Sequence, residues 1–212
     1  MNYKSMKRRI LAAMSAAVIA VASLTSCSSI QASVTVPSAS SSVTYGASVA
    51  LPQVSGSNSA KVEYYFPRAG QKAQPQLISI IRSTQKTLDI AIYSLTDKQI
   101  GSAITQAHKR GVTVRLITDR EQASGQYQKP LLKGLVKAGV SVKVDTHSGL
   151  MHLKVTIADK KTATTGSFNY TKSAEETNDE VFVVLHDEKA AQDFETEFEK
   201  MWNDPKNFSN FR

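Results

Sequence analysis

Cysteine is almost missing from this chain: Cys27 stands alone among 212 residues. No internal disulfide can form, and thiol redox chemistry plays no part in stability. Charge is missing from residues 27–60, which hold no Lys, Arg, Asp or Glu and are rich in Ser, Ala and Val, with Pro37 and Pro52. Such a stretch has little with which to build a core and reads as a flexible tether. Long apolar runs are missing too. The longest, Ile10–Leu24, is too short for an ordinary membrane span. No internal repeat is visible, and beyond residue 60 there is no long apolar loop and no basic amphipathic helix suited to an anionic membrane. Residues 61–212 remain, enough for one domain with a good-sized core.

The N-terminus has the layout of an export signal. Lys4, Lys7, Arg8 and Arg9 form a positive region ahead of the apolar stretch, and Leu24-Thr25-Ser26-Cys27 closes it. This resembles the lipobox of bacterial lipoproteins. The resemblance implies a signal peptide over 1–26, lipidation of the Cys27 sulfur and a tether over 27–60. The alternative is an ordinary secretory signal with a cysteine near its cleavage site. Ser28, where Asp would signal otherwise, resembles the pattern for outer-membrane retention. The expectation is a cell-envelope lipoprotein, held at the outer membrane and facing the periplasm or exterior. Charge within the domain is uneven. Residues 61–158 carry 15 Lys and Arg against 6 Asp and Glu, whereas 159–212 carry 7 against 12. A chain so divided can keep a basic face for a polyanion while its tail stays acidic.

Strand and helix patterns alternate along the domain. The spacing predicts strands over 62–66, 88–95, 112–118, 140–144, 151–157, 162–168 and 180–185. Helices are expected from Pro75 to Thr84, from a capping box at Thr96-Asp-Lys-Gln99 to Arg110, over 130–138, and from Glu188 to about Asn203. This order points to an α/β sandwich with a mixed, mostly parallel sheet flanked by helices on both faces.

Met151 to Ile157 reads M-H-L-K-V-T-I, a strict alternation. His152, Lys154 and Thr156 therefore share one face, and Leu153, Val155 and Ile157 the other. After a polar turn, Ser167 and Asn169 fall on a common face again. An imidazole, an ammonium, a hydroxyl and an amide thus converge within eighteen residues. These are groups with which a protein can hold and attack a phosphodiester without a metal. The run His152-x-Lys154-x4-Asp159-x6-Gly166-Ser167-x-Asn169 matches, without a mismatch, the HKD signature of the phospholipase D superfamily. Tyr65-Phe66-Pro67, Ala91-Ile92-Tyr93-Ser94, Lys109-Arg110-Gly111-Val112 and Thr165 to Tyr170 resemble the small single-motif bacterial endonucleases of that superfamily, over essentially all of 61–204.

The resemblance implies a phospholipase D-like fold and a site in which His152 is the nucleophile. Lys154, Ser167 and Asn169 hold the phosphate. Glu180 orients the histidine through its other ring nitrogen. Asp159, lying in the turn, is expected to be structural with Gly166. The motif supplies no carboxylate cluster of the kind two metal ions need, so metal-independent chemistry without a cofactor is expected. Large members of the superfamily carry two motifs, and this chain has one. His108, His147 and His186 lack the Lys and Asn partners and read as surface or strand-end residues. A two-fold homodimer with both His152 side chains at a shared site completes the pair, as the small nucleases do.

The leading functional expectation is a nonspecific endonuclease acting on DNA, with RNA as a second substrate, through a phosphohistidine. Tyr93, Tyr127 and Phe168 are candidates to stack on bases, or core residues. The alternative is a phospholipase D or phosphatidyl transferase, which a lipid anchor at Cys27 would keep beside its membrane substrate. A third possibility is a catalytically silent surface lipoprotein that binds nucleic acid. Retention of His152, Lys154 and Asn169 argues against it.

Overall fold

The computed structural model describes residues 61–212. The expectations for the signal peptide over 1–26, the tether over 27–60 and lipidation at Cys27 lie outside these residues. The chain enters through β1 (Lys61–Tyr65), makes a single 3-10 turn at Pro67–Ala69, and continues into α1 (Ala73–Ser83) and β2 (Thr87–Ile92). Next come α2 (Lys98–Lys109), β3 (Thr113–Thr118), the short α3 (Arg120–Ser124), α4 (Gln128–Lys137) and β4 (Ser141–Asp145). The rest is β5 (Lys154–Ala158), β6 (Thr162–Gly166), the short α5 (Lys172–Glu176), β7 (Phe182–His186), α6 (Glu188–Trp202) and β8 (Phe208–Asn210).

Helix starts are set by side-chain caps. The cap of α2 is Asp97, whose carboxylate accepts from Gln99 N and Ile100 N; the capping box expected at Thr96 is displaced by one residue. Asp119, Thr171 and Asp187 cap α3, α5 and α6 in the same way. Helices α1 and α4 begin two residues before the expected prolines, which then sit in the first turn, where no intrahelical partner is lost.

The eight strands form one sheet in the order β1-β7-β6-β5-β2-β3-β4-β8. It is mixed, as expected, but it is not mostly parallel. Only the β2–β3 and β3–β4 pairings are parallel, where α2 and then α3 with α4 carry the chain back across the sheet. The other five are antiparallel. Between β5 and β6 the chain has only Asp159–Lys161 with which to reverse, and a three-residue turn can join only antiparallel neighbours.

Helices cover both faces. On one, α1, α2 and α4 pack against Leu88, Ile90, Ile92, Val114, Leu116, Phe182 and Val184. On the other, α6 lays Phe194, Phe198, Met201 and Trp202 over Ala91, Ile117, Val155 and Ile157. Each fully buried Leu, Ile or Phe in these layers contributes about 1.5–3 kcal/mol. Phe168, considered a base-stacking residue, is 1% exposed and belongs to the first core. Tyr127 is exposed, and Tyr93 is half-buried.

Candidate functional site

The site is built where β2 and β5 run antiparallel, with Ile92 opposite Lys154. This register carries Tyr93 alongside the lead-in to β5, and Tyr93 N–H donates to Leu153 C=O at 2.8 Å. The strand begins at Lys154, so His152 lies in the extended segment just ahead of it rather than inside it. Its side chain is exposed, and its ring packs against the Tyr93 ring at 4.6 Å between centroids. Lys154 is 7% exposed. Its ammonium donates to the His152 carbonyl at 2.8 Å and stands 4.9 Å from the centre of the same Tyr93 ring. Burial holds the Lys154 ammonium below the usual lysine range, partly offset by the negative charge of Glu180.

Tyr93 is therefore a shared platform for the imidazole and the ammonium. Its own hydroxyl is held by Gln122 Nε2 at 3.1 Å, from α3. The sequence points to Tyr93 as a base-stacking candidate but not to this role. The role depends on pairing two strands about sixty residues apart, which no local pattern encodes. Gln122 and Asn178 were missed altogether, and neither lies in a recognisable motif.

The other motif residues come after β6. Gly166 has φ +129°, and a Cβ there would sit 2.1 Å from the Val181 carbonyl oxygen, so any side chain would force β6 and β7 apart. Ser167 N–H donates to Val181 C=O at 3.0 Å, and Val181 N–H returns to Ser167 Oγ at 3.1 Å. The Ser167 hydroxyl donates to Glu180 at 2.5 Å, while Asn178 Nδ2 donates to the other Glu180 oxygen at 3.1 Å. Glu180 is thus held by Ser167 and Asn178, where a bond to the imidazole was expected. Asn169 Oδ1 accepts from Ser94 N–H at 3.3 Å, which leaves its amide nitrogen as the donor it can offer to a ligand.

Asp159 is not part of this constellation. It sits in the β5–β6 turn with φ +53°, ahead of Lys160 at +56°, and its carboxylate accepts from three backbone N–H groups: Gln85, Lys86 and Thr87, at 2.6–3.0 Å. Burial pushes this carboxyl upward, but the three donors outweigh it and hold Asp159 below the usual carboxylate range. Its observable work is to clamp the turn to the loop entering β2.

The remaining histidines sit in other surroundings. His147 bonds Ser148 C=O at 2.8 Å, His186 meets Glu63 at 3.4 Å, and the His108 ring lies against Gly139. Among the described residues no group of three or more His, Cys, Asp or Glu side chains is placed to hold a metal ion, and no helix is long and apolar enough to cross a membrane.

A desolvated cation beside an accessible imidazole suits an anionic ester. The mixed sheet that carries the pair is the fold of the phospholipase D superfamily of phosphodiesterases. The chain belongs to that family: a family model described as "Cardiolipin synthase, PLD-like domain" matches residues 77–202. Among solved structures it is similar to Nuc, a phospholipase D family member from Salmonella typhimurium, with TM-score 0.67 and 30% identity over 72% of this chain and 99% of that one. NucT from Helicobacter pylori is similar at TM-score 0.64 and 27% identity, with the same coverage of both chains. Among curated proteins it is 35% identical over 136 residues to the mitochondrial cardiolipin hydrolase of Canis lupus familiaris, covering 64% of this chain and 52% of that protein. The chain spans about half the length of the curated relatives it matches.

Proposed function

We propose that this protein is a metal-independent endonuclease that cleaves DNA, and RNA as a second substrate, through a phosphohistidine on His152. The observation that carries the reading is the pairing of an exposed imidazole with a desolvated Lys154 ammonium on the Tyr93 ring. In the first step a neutral His152 ring nitrogen attacks phosphorus, an N–P bond forms, and the bond to the leaving oxygen breaks. The leaving oxygen takes a proton from a general acid. Water then gives a proton to that same group, now a base, attacks the phosphohistidine, breaks the N–P bond and frees the imidazole. Lys154 stabilises charge on the non-bridging oxygens, joined by Asn169 and by Ser167 once its hydroxyl turns from Glu180. Glu180, freed when the Ser167 hydroxyl turns to the phosphate, steadies the imidazolium through its other ring nitrogen. No cofactor takes part.

One motif supplies one histidine. The general acid is assigned to His152 of the partner subunit in a two-fold homodimer; this part is falsified if a monomeric variant retains full activity. Cys27, lipidated, holds the enzyme at the cell envelope. A Cys27→Ser chain should lose both palmitate labelling and the membrane fraction.

Nucleic acid is preferred as substrate for two reasons: the basic balance of residues 61–158 and the likeness to Nuc and NucT across nearly their full length. The second reading is hydrolysis of membrane phosphodiesters, supported by identity to cardiolipin hydrolases. The test is turnover on plasmid and single-stranded oligonucleotide beside cardiolipin and phosphatidylcholine vesicles, all in chelator. Nucleic-acid cleavage, falling steeply with salt, is expected. Turnover of cardiolipin alone would replace this reading with the second.

A further inference from the structure

The first strand is followed at once by an aromatic side chain that the fold does not use. Phe66 is 47% exposed and belongs to neither apolar core. Its backbone, by contrast, is fixed. The N–H donates to Gln71 Oε1 at 2.7 Å, the carbonyl accepts from Ala69 N–H at 2.9 Å, and buried Pro67 opens the adjoining 3-10 turn. Arg68, in that turn, bonds the Thr177 carbonyl and so ties the turn to the segment after α5. A large ring held on rigid backbone and left open to solvent loses little entropy on meeting a ligand.

What it borders is the site. Phe66 and Arg68 line a cleft of about 560 Å³ whose other walls include Asp179 and two residues of the motif region, Ser167 and Glu180. Resting on the nucleic-acid reading above, we propose that this cleft takes the unpaired base of a nucleotide next to the scissile phosphate, stacked on Phe66 with its amino edge toward Asp179. The lining decides among the parts of a substrate. A second phosphate would meet the carboxylates of Asp179 and Glu180. An acyl chain would desolvate both carboxylates and the Arg68 guanidinium without giving them partners. A base brings a π face for the ring and N–H donors for the carboxylate. In an intact duplex that face is covered by its neighbours, so the cleft selects single strands, flaps and frayed ends.

The experiment measures cleavage by the full chain of a labelled single-stranded oligonucleotide and of an abasic strand of equal length. Wild type, Phe66→Ala and Phe66→Trp are compared, with thermal melts to confirm folding. Phe66→Ala should raise KM for the base-bearing strand about tenfold and change kcat less than about twofold, a shift that stacking of one base accounts for. Phe66→Trp should restore KM. On the abasic strand wild type should already show the raised KM, with no further loss in Phe66→Ala. An unchanged KM in Phe66→Ala, an equal loss on both strands, or no rescue by Trp each overturns the base pocket and leaves the nuclease reading standing. Vesicle turnover without cleavage of either strand by wild type overturns both.

Discussion

Two cationic side chains sit on opposite faces of the same sheet, and their surroundings differ in kind. Arg115 in β3 faces α6. It bonds Asp89 at 2.6 Å, Glu199 at 2.9 Å and Glu195 at 3.2 Å, and its guanidinium lies over Phe198 and Trp202. Lys160 adds a second cation to Glu195 at 3.1 Å. Lys154 in β5 faces the other way, donates to a backbone carbonyl, rests on Tyr93, and forms no ion pair among the described residues. The proton affinities differ accordingly. Arg115 is held more firmly protonated by its carboxylates, whereas burial weakens the hold of Lys154 on its proton. A cation whose acceptors are all internal is scaffold. A desolvated cation without a counter-ion costs stability, and that cost is recovered only when an anion arrives.

The comparison breaks most visibly at Arg115. Arg115→Met leaves the buried Asp89 without its cation and Glu195 with Lys160 alone, and should cost about 3–5 kcal/mol of stability by denaturant unfolding, with kcat per folded molecule unchanged. Lys154→Met should do the reverse. The apolar stem is kept and a desolvated charge is lost, so the melting temperature stays level or rises, while kcat falls by about 10²–10³. If either variant showed the other's phenotype, the division into scaffold and site would be wrong.

A smaller effect is expected at Asp159, the motif residue outside the constellation. Asp159→Ala leaves three backbone N–H groups without their acceptor and should cost about 1–3 kcal/mol, with kcat nearly unchanged. Its folded carboxyl titrates below the usual value. Its contribution is therefore present above about pH 4 and lost as pH falls through the lower folded value. Acid unfolding of the variant should be shallower there than that of wild type.

The smallest effect is a shift along the pH axis. Because burial makes the folded Lys154 release its proton below the usual lysine range, the cleavage rate should fall on an alkaline limb that lies below the pH at which an ordinary lysine titrates. Lys154→Arg, if active, should lack that limb. Over the same window the folded state binds fewer protons than the unfolded chain, so this group makes stability rise with pH while activity declines.

The face of Lys154 was legible in the sequence before any contact was known. The alternation Met151–Ile157 assigns Lys154 and Thr156 to one side of β5 and Val155 and Ile157 to the other. The structure has Thr156 bonded to Tyr170 in one core and Val155 and Ile157 under α6 in the other. Helix α2 announced itself through its capping residues and α6 through its apolar stripe. Pairing was not legible. Alternating β and α patterns argued for parallel strands, yet β5, β6 and β7 reverse through connections whose outcome local propensity does not fix. Elements of three to five residues, α3, α5 and β8, are too short for any periodicity. At the site the HKD spacing named His152, Lys154, Ser167 and Asn169. It could not name Tyr93 or Gln122 as their support, because that depends on the β2–β5 register. Phe168 escaped for a simpler reason: an aromatic residue beside a motif fits a stacking surface and a core equally well until burial is known.

The central claim is that the His152 imidazole attacks phosphorus without a metal. The most direct measurement is cleavage of DNA in excess EDTA by wild type and by His152→Ala, whose exposed position should leave folding intact. The account predicts cleavage by wild type and a loss of about 10⁴-fold or more in the variant. Equal cleavage by both, or cleavage by wild type only after a divalent metal is restored, would contradict it.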